Sequence, residues 1–209
     1  MSNTDFEVLS KLPSNIHNIV LPRYFNSPLD LNQLPKSLKS LSMSHNFNNT
    51  LSNSTSTNHL VSLSFSHLFN EVILPSTLPP TLRILKLSNK YNHPFLENTL
   101  PSSLQSLYLG FCYEQPLENL PNQLLILEIA SFFSQTLSKS ILPPSLKYLL
   151  LGSVETFELF ETIQPIENIF MCEGFKVQKT INCNFFKHLK LYNPKKDMFK
   201  ILNKSLIKY

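Results

Sequence analysis

The sequence of 209 residues is poor in glycine, cysteine, alanine and arginine, and it lacks tryptophan. Its three glycines cannot supply the glycine-rich loops with which nucleotide-binding enzymes cradle phosphate. Its three cysteines, Cys112, Cys172 and Cys183, are odd in number and lack the spacing of a metal site or a redox pair. We therefore expect free thiols in a reducing compartment.

Long apolar runs are also missing. No stretch approaches the roughly 18 apolar residues that a transmembrane helix needs. The first residues, Met1–Asp5, lack the basic and apolar regions of a secretory signal. The sequence thus predicts an intracellular, cytoplasmic protein without a membrane anchor.

One pattern recurs through most of the chain: Leu-Pro-x-x-Leu-x-x-Leu-x-Leu. Of the six steps between successive copies, five are 22 residues and one is 20. The copies begin at Leu12, Leu34, Ser56, Leu78, Leu100, Leu120 and Leu142. A fixed period of this length is typical of a solenoid, in which each coil packs against its neighbours. Coil positions are numbered here from zero at these residues.

The first half of each coil predicts one short strand. Positions 4, 7 and 9 are apolar in every copy, and positions 7 and 9 alternate as side chains on one face of a strand do. Successive strands would pair into a curved parallel sheet. Proline recurs at position 1, where its fixed φ suits a bend ahead of the strand. These prolines are Pro13, Pro35, Pro79, Pro101, Pro121 and Pro143.

The second half of each coil has its own pattern. Position 13 is aromatic in six copies, at Phe25, Phe47, Phe69, Tyr91, Tyr113 and Phe133. Position 14 is asparagine in the first four, at Asn26, Asn48, Asn70 and Asn92. Position 17 is apolar. The pattern predicts a stacked aromatic spine inside the solenoid, and a row of asparagines that satisfies backbone groups of the loops.

The run Phe25–Pro28, preceded by Leu12–Pro13, resembles the FNIP repeat, a 22-residue relative of the leucine-rich repeat. Tyr91–Pro94 is a close variant of the same run. The resemblance covers residues 12–160 and implies a leucine-rich-repeat-like solenoid. Many relatives carry an N-terminal F-box that docks a ubiquitin-ligase adaptor. Eleven residues precede the first repeat here, too few for that module, so we do not expect the ligase role to transfer.

The pattern weakens after residue 160. Degenerate repeats beginning at Thr162 and Asn182 fit residues 161–192, and helical spacing of apolar residues predicts an amphipathic capping helix over 193–209. The expected organisation is an N-terminal segment 1–11, seven repeats over 12–160, the degenerate repeats and the helix. Residues 176–209 hold nine lysines and one aspartate, a net charge of +8. This basic end could attract nucleic acid or an anionic surface, or be the solvated face of the cap.

The sequence contains no recognisable catalytic motif. His45 and His67 share position 11 and could meet in adjacent coils, but Asn89 and Phe111 follow there, so a third metal ligand is missing. We expect no catalytic residues, no metal and no cofactor. We therefore expect that the protein is not an enzyme.

The best candidate for a binding surface is the strand face turned away from the core. Its residues are small serines in the early coils and larger in the later ones. We predict partner binding at Ile84, Lys86, Tyr108, Ile126, Glu128, Tyr148 and Leu150. Two alternatives stay open: strands simply favour isoleucine and tyrosine, or this face packs on a terminal segment. The predicted function is a non-catalytic protein-interaction scaffold; the alternative is nucleic-acid or anionic-surface binding through the lysine-rich C-terminal segment.

Overall fold

A computed structural model describes residues 12–52, 59–129 and 142–152, together with the backbone of two strands at 166–172 and 186–192. The predicted N-terminal segment 1–11, the aromatic Phe133 and the predicted capping helix at 193–209 lie outside the described residues.

The described chain forms a nine-stranded parallel sheet whose strands follow sequence order. The strands are β1 Asn18–Val20, β2 Ser40–Ser42, β3 Ser62–Ser64, β4 Ile84–Lys86, β5 Ser106–Leu109, β6 Ile126–Ile129, β7 Tyr148–Leu151, β8 Ile166–Cys172 and β9 Phe186–Tyr192. A 3-10 turn spans Leu31–Gln33. No helix in the part of the chain that the structure describes is long and apolar enough to cross a membrane. The predicted solenoid is confirmed.

The strand register follows the sequence period. Leu41 pairs with Leu63, one 22-residue step along the chain. Leu107 pairs with Leu127 across the one 20-residue step. The pairing continues into the degenerate repeats, where β7 pairs with β8 and β8 with β9. The position 7 residue therefore stays aligned from strand to strand even where the repeat loses its proline.

The repeated proline forms the bend that precedes each strand. The carbonyl of Pro35 accepts a hydrogen bond of 2.9 Å from the backbone N–H of Leu38, and Pro79 accepts one of 3.0 Å from Leu82. The same turn recurs at Pro101, Pro121 and Pro143. Because proline lacks an N–H, it fits this position without removing a donor from the sheet. The turn then directs the leucine at position 4 into the core.

The core lies on one side of the sheet and runs the length of the solenoid. The position 7 leucines of β2 to β7 are fully buried: Leu41, Leu63, Leu85, Leu107, Leu127 and Leu149. Positions 4 and 9 are buried beside them. Burial of this continuous apolar row stabilises each coil through its two neighbours, since one coil cannot enclose its own leucines.

Stacked aromatic rings close the core on the side opposite the strands, as predicted. Ring centroids are 6.3 Å apart between Phe25 and Phe47, 5.8 Å between Phe47 and Phe69, and 5.9 Å between Phe69 and Tyr91. Tyr113 continues the row at 6.3 Å from Tyr91. Burial raises the pKa of Tyr91 to about 12 and raises that of Tyr113 as well, because a phenolate there would lose its hydration. Both tyrosines therefore act as neutral core rings.

The asparagine row forms a ladder on the surface beside this spine. The side-chain Oδ1 of Asn26 accepts a 2.8 Å hydrogen bond from the backbone N–H of Asn48 in the next coil. Asn48 and Asn70 repeat the contact at 2.7 and 3.0 Å. The last rung joins Asn92 to the N–H of Glu114 at 2.9 Å. The ladder satisfies loop N–H groups that no strand reaches, which explains why asparagine recurs at position 14.

Candidate functional site

The strand face is the side of the sheet that carries positions 6 and 8 of each coil, opposite the leucine core. Its exposure falls along the solenoid. At position 8, Val20 of β1 is 77% exposed, whereas Leu150 of β7 is fully buried. Between them, Ser42, Ser64 and Lys86 are half-buried. The most exposed residue of this face therefore lies in the first coil, and the later coils are accessible only at their half-buried residues.

The seven residues predicted to bind a partner lie together on four adjacent strands, β4 to β7. Position 6 aligns Ile84, Ser106, Ile126 and Tyr148 in register, and position 8 aligns Lys86, Tyr108, Glu128 and Leu150. Three of these seven side chains are buried and therefore not accessible to a partner. Ile84 is 5% exposed, and Ile126 and Leu150 are fully buried. Lys86, Tyr108, Glu128 and Tyr148 are half-buried.

An open groove of about 500 Å³ occupies the strand face of the earlier coils. Position 8 of five successive strands contributes Val20, Ser42, Ser64, Lys86 and Tyr108 to its lining. Side chains just beyond the strand ends add Ser66, His67, Asn89 and Phe111. We call this surface the strand groove. Its lining includes two of the predicted binding residues, Lys86 and Tyr108. It also includes several of the small serines of the early coils, which were not among the predicted binding residues.

The lining of the strand groove changes from hydroxyls to a cation and an aromatic ring. The Ser64 hydroxyl donates to the Ser42 hydroxyl at 3.1 Å. The Lys86 Nζ lies 4.6 Å from the centroid of the Tyr108 ring, within the range of a cation–π contact. Val20 and Phe111 are 77% and 44% exposed at opposite ends of the groove. A ligand here would meet donors in the middle and apolar surface at both ends.

The repeat geometry agrees with one known family. The FNIP repeat family model matches residues 9–46, 25–67, 69–112 and 91–132, which together cover more than half of the chain. The chain belongs to the FNIP repeat family. Within this FNIP solenoid, the matched residues include every coil that contributes to the strand groove.

A solved structure supports the leucine-rich-repeat character of the FNIP solenoid. The crystal structure of CroV588, described as a novel circular LRR protein, superimposes with a TM-score of 0.75 and 28% sequence identity over 89% of this chain. The chain covers 28% of the length of CroV588. No curated protein is significantly similar to the chain.

Charge is segregated between the two halves of each FNIP coil. Among the side chains that the structure describes, every lysine and arginine lies at coil positions 2 to 12, in the half that carries the strand. They are Arg23, Lys36, Lys39, Arg83, Lys86, Lys90 and Lys147. The carboxylates lie at positions 14 to 19, with the exception of Glu128. They are Asp30, Glu71, Glu97, Glu114 and Glu118. The strand-bearing half of the coils is therefore basic and the returning half acidic, with Glu128 as the one carboxylate of the described side chains in the strand-bearing half.

The two histidines at position 11 meet as the period predicts. The imidazole rings of His45 and His67 stack with centroids 5.2 Å apart, and both residues are exposed. No group of three or more potential metal ligands forms among the described side chains. Together with Arg23 in the first coil, the histidines form a row of nitrogen-bearing side chains along one edge of the strand face.

The lysine-rich C-terminal segment, which carried the alternative function, lies largely outside the described residues; the structure describes β9 within it as backbone alone. Nucleic-acid or anionic-surface binding through that segment stays a prediction. Cys112, the described cysteine, is an exposed free thiol.

Proposed function

We propose that this FNIP-repeat solenoid is a non-catalytic scaffold that binds a protein partner along its strand face. The observation that carries the proposal is the strand groove of about 500 Å³, which extends across five adjacent strands. Repeat solenoids present extended surfaces of this kind to partners, because each additional coil lengthens the surface without altering the fold.

The four half-buried residues of the predicted set are the proposed contacts in the later coils: Lys86, Tyr108, Glu128 and Tyr148. Partly accessible tyrosines favour this role because a large, rigid ring gains much buried area at a small entropic cost when a partner covers it. Ile84, Ile126 and Leu150 are buried beside these side chains on the same face of the sheet. The binding surface is therefore proposed to comprise the groove and this tyrosine-bearing extension.

The double substitution Tyr108→Ala and Tyr148→Ala is expected to remove partner binding, with a loss of affinity of about tenfold or more, since two aromatic anchors are truncated. The measurement is affinity capture from native cell extract at physiological salt. Captured proteins are then quantified by mass spectrometry for the wild type and the variant.

A matched control truncates two exposed apolar residues on the other half of the coil, Leu74→Ala and Leu96→Ala. A partner that is lost in the tyrosine variant and retained in this control supports the proposal. A partner retained in the tyrosine variant and lost in the leucine variant would place binding on the opposite side and refute it.

A further inference from the structure

We propose that the strand groove binds an acidic, extended segment of a protein partner. This inference rests on the proposed function and specifies the chemistry of the partner. It follows from three features of the described residues: the segregation of charge, the side chains that line the groove, and the length of the groove.

Positive charge is concentrated in the strand-bearing halves of the first four coils. Arg23, Lys39, Arg83, Lys86 and Lys90 all lie in the strand-bearing halves of the first four coils, whereas the carboxylates of those coils lie in the returning halves. An acidic segment meets these cations when it approaches the strand-bearing halves of the four coils, and it meets carboxylates when it approaches their returning halves. Complementary potential of this kind selects the orientation and speeds the encounter.

The groove lining offers hydrogen-bond donors and apolar surface to a ligand. Lys86 and His67 lie in the lining and can donate to a carboxylate. Ser42 and Ser66 can donate to carboxylate or main-chain carbonyl oxygens, whereas the Ser64 hydroxyl donates to that of Ser42. The exposed apolar ends at Val20 and Phe111 favour a peptide over nucleic acid, because apolar side chains of a peptide can cover them.

The length of the groove limits the length of the segment that it can hold. The groove runs from β1 to β5, which is four strand spacings. At about 4.8 Å per spacing, it extends for about 19 Å, the length of about six residues of extended chain. A short linear segment is therefore sufficient to occupy it.

The test uses a displayed library of random peptides of about eight residues, a length chosen to exceed that extended segment. The library is panned on the full chain, and the net charge of bound peptides is compared with that of the input. Bound peptides are expected to be enriched in aspartate and glutamate, with one or two apolar residues. The best binder is then labelled, and its affinity is measured by fluorescence anisotropy against substituted chains.

Lys86→Glu is expected to weaken binding of this labelled peptide about tenfold or more, because the substitution places a carboxylate in the lining of the groove. Lys147→Glu makes the same change of charge at an exposed site outside the groove lining and is expected to leave affinity within about twofold. Lys86→Met removes the charge but keeps most of the apolar stem against Tyr108. A loss of affinity in this variant too would therefore be due to the missing charge and not to a folding defect.

Five outcomes would overturn the inference. The first is a library that yields no binders, and the second is acidic binders that Lys86→Glu does not weaken. The third is a labelled oligothymidine strand that binds the wild type more tightly than the peptide does and binds the Lys86→Glu variant more weakly. That result would assign the groove to nucleic acid. Neutral binders that are lost in the Tyr108→Ala variant would refute the acidic specificity and leave the proposed function standing. Binders insensitive to every strand-face substitution would refute both.

Discussion

Phe69→Ala is expected to lower the free energy of unfolding by about 3–5 kcal/mol, the range for truncation of a buried phenylalanine. Phe69 is 1% exposed and lies in the middle of the aromatic spine. Its ring centroid is 5.8 Å from that of Phe47, 5.9 Å from that of Tyr91 and 3.9 Å from that of Phe65. Since each coil is held by its neighbours, the cavity would weaken the contact between consecutive coils. Urea denaturation followed by circular dichroism measures the change.

The control for this prediction is Phe111→Ala. Phe111 is 44% exposed and is not part of the spine, so its truncation is expected to cost less than about 1 kcal/mol. If Phe69→Ala were as mild as Phe111→Ala, the stacked rings would not be the element that couples the coils.

Gly110→Ala is expected to destabilise the solenoid by about 3 kcal/mol, at the upper end of the range for overpacking. A Cβ at Gly110 would lie 1.9 Å from the carbonyl oxygen of Ser88 and 2.6 Å from the Cα of Asn89. Both atoms are backbone, so no side chain can rotate away. The neighbouring hydrogen bond, from the Cys112 N–H to the Asn89 carbonyl at 2.9 Å, holds the two coils at this distance. Relief of the clash requires separating them.

Thermal and urea denaturation of Gly110→Ala are compared with those of Ser66→Ala. Ser66 occupies the same coil position two coils earlier and is exposed, so its substitution is expected to change stability by less than about 0.5 kcal/mol. A stable Gly110→Ala chain would mean that the coils can move apart at this point without losing the stacked leucines.

The sequence period predicted the strand register of the described coils. Leu63 and Leu85 were aligned by counting and are paired in the sheet. The bends at the prolines, the aromatic spine and the asparagine ladder were expected for the same reason. In a solenoid the neighbours of a residue are its equivalents one period away, so long-range contacts can be read from local spacing.

A hydroxyl ladder at position 3 was missed although its signal is present in the sequence. The Ser37 hydroxyl donates to the Ile16 carbonyl at 2.6 Å, and Ser103 and Ser145 donate to the carbonyls of Leu82 and Leu124 at 2.7 Å. Serine or threonine recurs at this position, two residues after the repeated proline. The pattern was overlooked because short polar residues beside a turn are usually assigned to solvent.

The open part of the strand face was not predictable from the repeat. Ile126 and Val20 both lie on this face, yet the first is fully buried and the second is 77% exposed. Exposure of a strand face depends on how the sheet bends and on what packs across it, and a pattern of 22 residues specifies neither. The segregation of charge could have been found by counting coil positions. Which ligand this charge favours could be inferred only after the structure had located the groove beside it.

Photo-crosslinking from two sites tests most directly whether the strand face is the binding surface. A benzoylphenylalanine residue replaces either Ser66, in the lining of the strand groove, or the exposed Leu96 on the other half of the coil. Both chains are irradiated in native extract, and covalent adducts are identified by mass. We expect adducts with a partner protein from the Ser66 site and none from the Leu96 site. Adducts that form from the Leu96 site alone would contradict the account.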